Sequence, residues 1–265
     1  MVHQQAAEDS LFRLDHLGRH AYTFPMRLGL LPSAGMATRM HGIPKFLLPV
    51  SNDWKCLLDY HVHLMSDYVD RIIIPTRSEW VELLRSFNFG EAVTIVPLNT
   101  ETMAETVRRA LHGIDYDSCV LGMPDTYFIG GNPYRDLYAQ HTADVSLSVF
   151  PTRGEQSGRM GSVKIDDSYR VEAHADKDPD HDYGTHWGVI EFTSEVEKLL
   201  DPRATTGGYL ITEALQKGLD VRGYPADYSY YDCGTVDEYV ECLTRLHGAY
   251  GYADRREVGA GTANS

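Results

Sequence analysis

Arg39 and Lys45 share one stretch of chain, RLGLLPSAGMATRMHGIPKFLLPV, from Arg27 to Val50. It opens on an apolar run, Leu28 to Leu31, of the length of one buried strand. Three small residues follow, Ser33, Ala34 and Gly35. Small residues after a strand let backbone N–H groups come close to a ligand, and such groups suit phosphate oxygens. The arginine adds a planar fork of donors and the lysine a compact point charge. That combination fits a polyphosphate better than a single phosphate. Farther on, Asp125 stands just past a second apolar run, and Asp232 precedes Cys233-Gly234-Thr235.

Elements must bring these groups together. Apolar runs mark strands over 28–31, 72–74, 93–96, 118–123, 145–150, 161–165, 186–192 and 221–224. Helical spacing marks 56–67, 79–87, 102–112, 210–217 and 236–247. The alternation in the first half argues for an α/β fold: a single Rossmann-like, doubly wound, mostly parallel (mixed) sheet with helices on both faces. Ligands of such sheets bind at the carboxyl ends of the strands. The loop after Leu31 and Asp125 both fall at such ends. The second half is expected to pack on the same sheet as a lid or substrate region. Residues 1–26 read as an extension with a short helix around Glu8 to Leu17. Residues 27–250 read as the domain, and 251–265 as a Gly-rich disordered tail.

Composition narrows the partners. The chain has 265 residues, is 43% hydrophobic and carries a formal charge of -14. That hydrophobic share supports a full core, and that charge argues against a nucleic-acid partner. Positive charge for an anionic nucleotide must then be concentrated locally, as at Arg39 and Lys45. Cys56, Cys119, Cys233 and Cys242 form no C-x-x-C pair, which points to reduced cytoplasmic thiols and no zinc site. His61 and His63 read as ordinary helix or surface residues. No apolar run approaches the ~20 residues of a membrane helix, and no signal peptide is visible.

Ala34-Gly35-Met36-Ala37-Thr38-Arg39-Met40, followed by Pro44-Lys45-Phe46-Leu47-Leu48-Pro49-Val50, resembles the signature of nucleotide-sugar pyrophosphorylases (sugar-1-phosphate nucleotidyltransferases). It is similar to that of the glucose-1-phosphate thymidylyltransferases. The departures are Pro32 and Ser33 before the turn and Ala37 at a usual glycine, tolerable where φ stays negative. Val120 to Phe128 resembles a family strand ending in G-D or P-D. Tyr231-Asp232-Cys233-Gly234-Thr235 resembles W-x-D-x-G-T. The resemblance implies that Asp125 and Asp232 hold Mg²⁺, a hard cation suited to carboxylate, water and phosphate oxygens. Taken alone, Asp125 could be a helix cap and Asp232 a turn residue.

The implied reaction is in-line attack of a sugar 1-phosphate on the α-phosphorus of a nucleoside triphosphate, with pyrophosphate leaving. Positioning and electrostatics carry such a step. By resemblance, Arg39 meets the β/γ-phosphates, Lys45 the α-phosphate, and Asp125 joins them as a catalytic group. Ser33, Ala34, Gly35, Met36, Thr38 and Pro124 would bind the nucleotide. Glu105 stands where thymidylyltransferases often carry Gln. A carboxylate only accepts hydrogen bonds, so it favours guanine modestly over thymine or uracil, giving GTP, dTTP or UTP as donors. Gly161, Lys177, Trp187 and Gly188 match acceptor-side fragments, and Tyr209 replaces a family glutamate that often holds sugar hydroxyls. Surface loop or core strand is the plain alternative for each. These departures allow an amino sugar, deoxy sugar or cyclitol phosphate as acceptor. Family members are commonly homodimers or tetramers. Two other readings stand beside this one: a transferase with a non-sugar acceptor, and a non-catalytic nucleotide-sensing subunit.

Overall fold

Ile72, Ile73 and Ile74 bury on alternate sides of one strand. A strand apolar on both faces needs cover on both, and that requirement shapes the molecule. The computed structural model describes residues 12–14, 20–22, 26–35, 40–140, 143–199, 201, 204 and 206–249.

In chain order the elements are β1 (Phe12–Leu14), β2 (His20–Tyr22), β3 (Arg27–Leu30), α1 (Leu57–Ser66), β4 (Arg71–Thr76), α2 (Val81–Ser86), β5 (Val93–Pro97), α3 (Met103–Leu111), β6 (Ser118–Gly122), β7 (Thr126–Ile129) and α4 (Pro133–Ala139). Then follow β8 (Val145–Pro151), β9 (Gly161–Ile165), β10 (Val171–Asp176), β11 (Thr185–Thr193), α5 (Ser194–Glu197), α6 (Tyr209–Gln216), β12 (Val221–Pro225), β13 (Ser229–Asp232) and α7 (Val236–Ala249).

The central sheet runs β10-β9-β11-β6-β3-β4-β5, with β8 also on β11 and β12 on β8. Strands β6, β3, β4 and β5 are mutually parallel. Strand β11 enters antiparallel to β6 and joins the second half to the first. The sheet is thus mixed. One face is covered by α1, α2, α4 and α7 through Leu57, Leu84, Leu137 and Leu246. The other is covered by α3, α5 and α6 through Val107, Val196 and Ile211. The second half does extend the one sheet.

Some features depart from the sequence reading. Phe12–Leu14 is a strand paired antiparallel with His20–Tyr22, where a helix over 8–17 was expected. Phe12 and Leu14 alternate around Arg13, the period of a strand. The rest of that segment and the tail lie outside the described residues. Helix α4 was not anticipated. Asn132 caps it, its side-chain oxygen accepting from the N–H groups of Tyr134 at 3.0 Å and Arg135 at 3.3 Å. Proline at the first helical position, Pro133, completes a standard start signal.

A buried ion pair spans β3 and β11. Arg27 Nε and Nη2 donate to Glu191 at 2.7 and 2.6 Å, and Ser118 Oγ adds a bond at 3.1 Å. It sits at the amino end of β3, away from the loop at its carboxyl end.

Candidate active site

The turn after β3 is held to the end of β4. Ser33 N–H donates to Pro75 O at 2.8 Å, and Thr76 Oγ1 donates to Ser33 O at 3.2 Å. Ser33 and Ala34 are buried, whereas Gly35 is exposed, and a Cβ on it would meet nothing within 4 Å. The protein thus leaves open space in front of that backbone. Residues 36–39 lie outside the described residues, and with them Met36, Thr38 and Arg39.

Pro44 leads into one 3-10 turn, Lys45–Leu47, whose Phe46 is buried. The anchored ring aims Lys45 back across the sheet. Its Nζ lies 3.2 Å from Asp125 Oδ2, with side-chain exposures of 14% and 22%. Asp125 sits in the turn between β6 and β7, where Thr126 Oγ1 bonds Met123 O at 2.8 Å.

Strand β13 delivers the second carboxylate. It pairs antiparallel with β7, placing Asp232 opposite Thr126. The next N–H, of Cys233, donates to Asp125 O at 2.8 Å. A Cβ on Gly234 would come 2.9 Å from Asp232 Oδ1, so glycine there leaves the carboxylate its room. Two acids far apart in sequence thereby become neighbours, with a lysine beside one of them. The donors are hard carboxylate oxygens, the kind Mg²⁺ takes. Among the described residues no three His, Cys, Asp or Glu side chains cluster as a metal site. An ion held by Asp125 and Asp232 would complete its shell with water and phosphate oxygens.

A cavity of about 300 Å³ opens beside this group, at the carboxyl ends of β3 and β6. Ser33, Ala34, Gly35, Lys45, Pro124 and Asp125 line it. So do Thr100, Glu101, Thr102, Met103 and Thr106, from the loop before α3 and its first turns, a stretch from which the motif singled out Glu105 alone. Thr102 Oγ1 caps α3 by accepting from Glu105 N–H at 3.1 Å. Thr100 and Thr106 hydroxyls lie 2.5 Å apart. The available signal was Thr102-x-x-Glu105, the sequence mark of a helix start.

Glu105 itself does not line the cavity. Its carboxylate accepts from Glu101 N–H at 3.2 Å and pairs with Arg109 at 3.1 Å. The Glu101 bond first, then Arg109, hold its pKa below the ordinary carboxylate value.

On the acceptor side, Gly161 opens β9 and lies under the indole of Trp187: a Cβ there would fall 2.0 Å from Trp187 Nε1. Lys177 follows β10 with φ of 56° and is exposed. Gly188 faces away from Trp187, against the rings of Phe150 and Tyr230, where a Cβ would come 2.6 Å from Phe150. It therefore serves packing on the opposite face.

His61 is no surface residue. It is fully buried on α1, with Nε2 2.8 Å from Thr126 O and Nδ1 2.6 Å from Tyr134 Oη. A carbonyl can only accept, so Nε2 carries the proton and Tyr134 donates to Nδ1. Burial depresses its pKa to about 4, against the opposing bond to Thr126. The four cysteines are free and buried.

A doubly wound sheet with a cleft at its strands' carboxyl ends, walled by the Lys45–Asp125 pair, is an arrangement suited to a nucleotide. The family model for the MobA-like NTP transferase domain matches residues 29–207, and the chain belongs to that family. No curated protein matches the sequence. Among solved structures, a UDP-glucose pyrophosphorylase complexed with UDP-glucose is similar at 15% identity and a TM-score of 0.71, over 84% of this chain and 99% of that one. The inositol-1-phosphate CTP transferase from T. maritima matches at 15% identity and a TM-score of 0.66, over 85% and 98%. HddC from Yersinia pseudotuberculosis matches at 17% identity and a TM-score of 0.65, over 83% and 100%. Among the described residues, no helix is long and apolar enough to cross a membrane.

Proposed function

We propose that this nucleotidyltransferase joins a nucleoside monophosphate, taken from a triphosphate, to a sugar 1-phosphate, giving a nucleotide sugar and pyrophosphate. The observation that carries this reading is the Lys45–Asp125 pair on the wall of one cavity at the carboxyl ends of the strands, with the strand bearing Asp232 paired beside the Asp125 turn. The Gly161–Trp187 contact supplies a second surface for the acceptor's ring. One structural neighbour is complexed with UDP-glucose, and another is named for transfer to inositol 1-phosphate.

An acceptor phosphate oxygen attacks the α-phosphorus, and the bond to the β-phosphate oxygen breaks. Lys45 moves its hydrogen bonds from Asp125 to the α-phosphate oxygens, where charge grows. Preorganised charge of this kind is the main source of rate in phosphoryl and nucleotidyl transfer. Open backbone at Ser33, Ala34 and Gly35 meets the nucleotide, with Pro124 on the facing wall. Met36, Thr38 and Arg39 are assigned by resemblance, Arg39 to the β- and γ-phosphates. Mg²⁺ on Asp125 and Asp232 would neutralise the transferring group. With Glu105 engaged by its own helix, the base is read by backbone and threonine groups along Thr100 to Thr106. The preference for guanine argued from Glu105 therefore falls away, and GTP, dTTP and UTP are tested on equal terms.

Pyrophosphate release from an NTP panel with Mg²⁺ and a panel of hexose and cyclitol phosphates tests this. One NTP–acceptor pair should turn over well above the rest. Nucleotide binding with no release under any pairing would overturn it.

A further inference from the structure

Asp232 stands at the end of a slender support. Strand β13 pairs with β7 alone, in a two-stranded sheet apart from the central one. A ribbon of two strands holds poorly by itself. Past Asp232 the chain turns through Gly234 and Thr235 into α7. A carboxylate that is to take a metal needs its backbone fixed from outside such a ribbon.

The loop between β8 and β9 sends two arginines to this corner, neither of them assigned by a motif. Arg153 meets it at three points. Its Nη2 donates to Tyr230 O at 3.2 Å, its guanidinium lies 4.3 Å from the centre of the Tyr231 ring, and its Nη1 donates to Glu241 on α7 at 3.0 Å. Arg159 Nη2 donates to Glu238 Oε1 at 2.8 Å, and Glu238 Oε2 accepts from Thr235 Oγ1 at 2.9 Å. The two residues before Asp232 and the turn after it are thus gripped from one loop. Beside Glu238, the Tyr239 hydroxyl donates to Pro49 O, at the end of the segment that carries Lys45.

Stability does not account for the arrangement. The four side chains of the two ion pairs are between 21% and 49% exposed. Pairs so open to water add little to folding free energy. A planar fork over a ring adds direction instead. Its donors lie in one plane and fix two elements at a set angle, which the single ammonium of a lysine cannot do.

We propose that Arg153, seconded by Arg159, is a positioning residue that holds the Asp232 carboxylate at the angle at which it meets Mg²⁺. This rests on the assignment of Asp232 as a metal ligand in the reading above. The arginines act through Asp232 and not on the substrate.

Electron paramagnetic resonance tests it, with Mn²⁺ in place of Mg²⁺ titrated into the full chain with GTP, dTTP and UTP in turn. Arg153→Met should weaken Mn²⁺ binding in the nucleotide complex about tenfold, the usual cost of losing a group that orients a metal ligand. Arg159→Met should weaken it less, and Arg153→Lys should fall between Arg153→Met and wild type. Nucleotide affinity measured in EDTA should hold in all three. The decisive comparison is a double-mutant cycle: in an Asp232→Asn background, Arg153→Met should cause no further loss. Full additivity there, or unchanged Mn²⁺ affinity in Arg153→Met, would overturn the proposal. A lowered thermal midpoint with Mn²⁺ affinity intact would do the same, marking the arginine as structural only. Should Arg153→Met fail to fold, Glu241→Ala, which removes only the α7 arm, takes its place in the cycle. If wild type binds no Mn²⁺ with any of the three nucleotides, or Asp232→Asn leaves that binding unchanged, the metal assignment falls and this inference with it. If the cycle behaves as expected yet no NTP–acceptor pair releases pyrophosphate, the clamp stands and the proposed function falls.

Discussion

At the residue scale, Lys45 is the side chain on which most depends. It is pinned by a buried phenylalanine next to it and paired with a carboxylate across the cleft. Loss of one preorganised donor to a developing charge typically costs about 10²- to 10³-fold in rate. Lys45→Ala and Asp232→Asn should each lower kcat by at least that order. Thermal midpoints should stay near wild type, since none of these groups supports the core. Steady-state pyrophosphate assays beside calorimetry would show it; a kcat within a few-fold of wild type would remove either assignment. Arg39→Ala belongs with them on the strength of the motif.

At the element scale, α3 is both a core helix and a cavity wall. Its cap, Thr102, serves both ends. Removing a threonine cap costs about 1 kcal/mol. Thr102→Ala should thus lower stability by about that amount and also raise KM for the NTP, while Thr102→Ser should leave both near wild type. Urea denaturation and NTP saturation curves separate the two effects. A KM unchanged in a measurably destabilised Thr102→Ala would show that the cap supports the helix alone.

At the scale of the whole molecule, two buried features govern stability. Breaking the Arg27–Glu191 pair leaves one charge unpaired inside the sheet, which costs about 3–5 kcal/mol. Arg27→Met should show that loss in urea, and Arg27→Met with Glu191→Leu should recover much of it. The second feature is acid sensitivity. Burial depresses His61 and His186 to about 4, with Arg153 adding to the effect at His186. The unfolded chain therefore takes up protons first, from the ordinary value of 6.5 downward. Stability is full above about pH 6.5, falls as pH drops toward 4, and levels off below. Each histidine contributes up to about 3 kcal/mol to that fall. Urea midpoints between pH 4 and 8 should show the slope, and His61→Gln should flatten it by about half.

Local chemistry along the chain determined much of this protein. The apolar runs from Leu28, Ile72 and Val120 are strands because nothing but a doubly covered sheet buries them. The paired signature around Arg39 and Lys45 named the chemistry, since a turn of small residues and two cations suits polyphosphate at any address in a fold. Tertiary structure alone decided what depends on distance between segments. Only the pairing of β7 with β13 sets Asp232 beside Asp125. The place of Glu105 was local and legible in Thr102-x-x-Glu105, since its carboxylate turns back to the Glu101 N–H just ahead of α3. The unpaired nitrogens of Trp187 and His174 come from separate strands and both pack against Gly208, just ahead of α6. Spacing along one chain cannot express such a meeting, because it reports period and order but not which faces the fold turns toward each other.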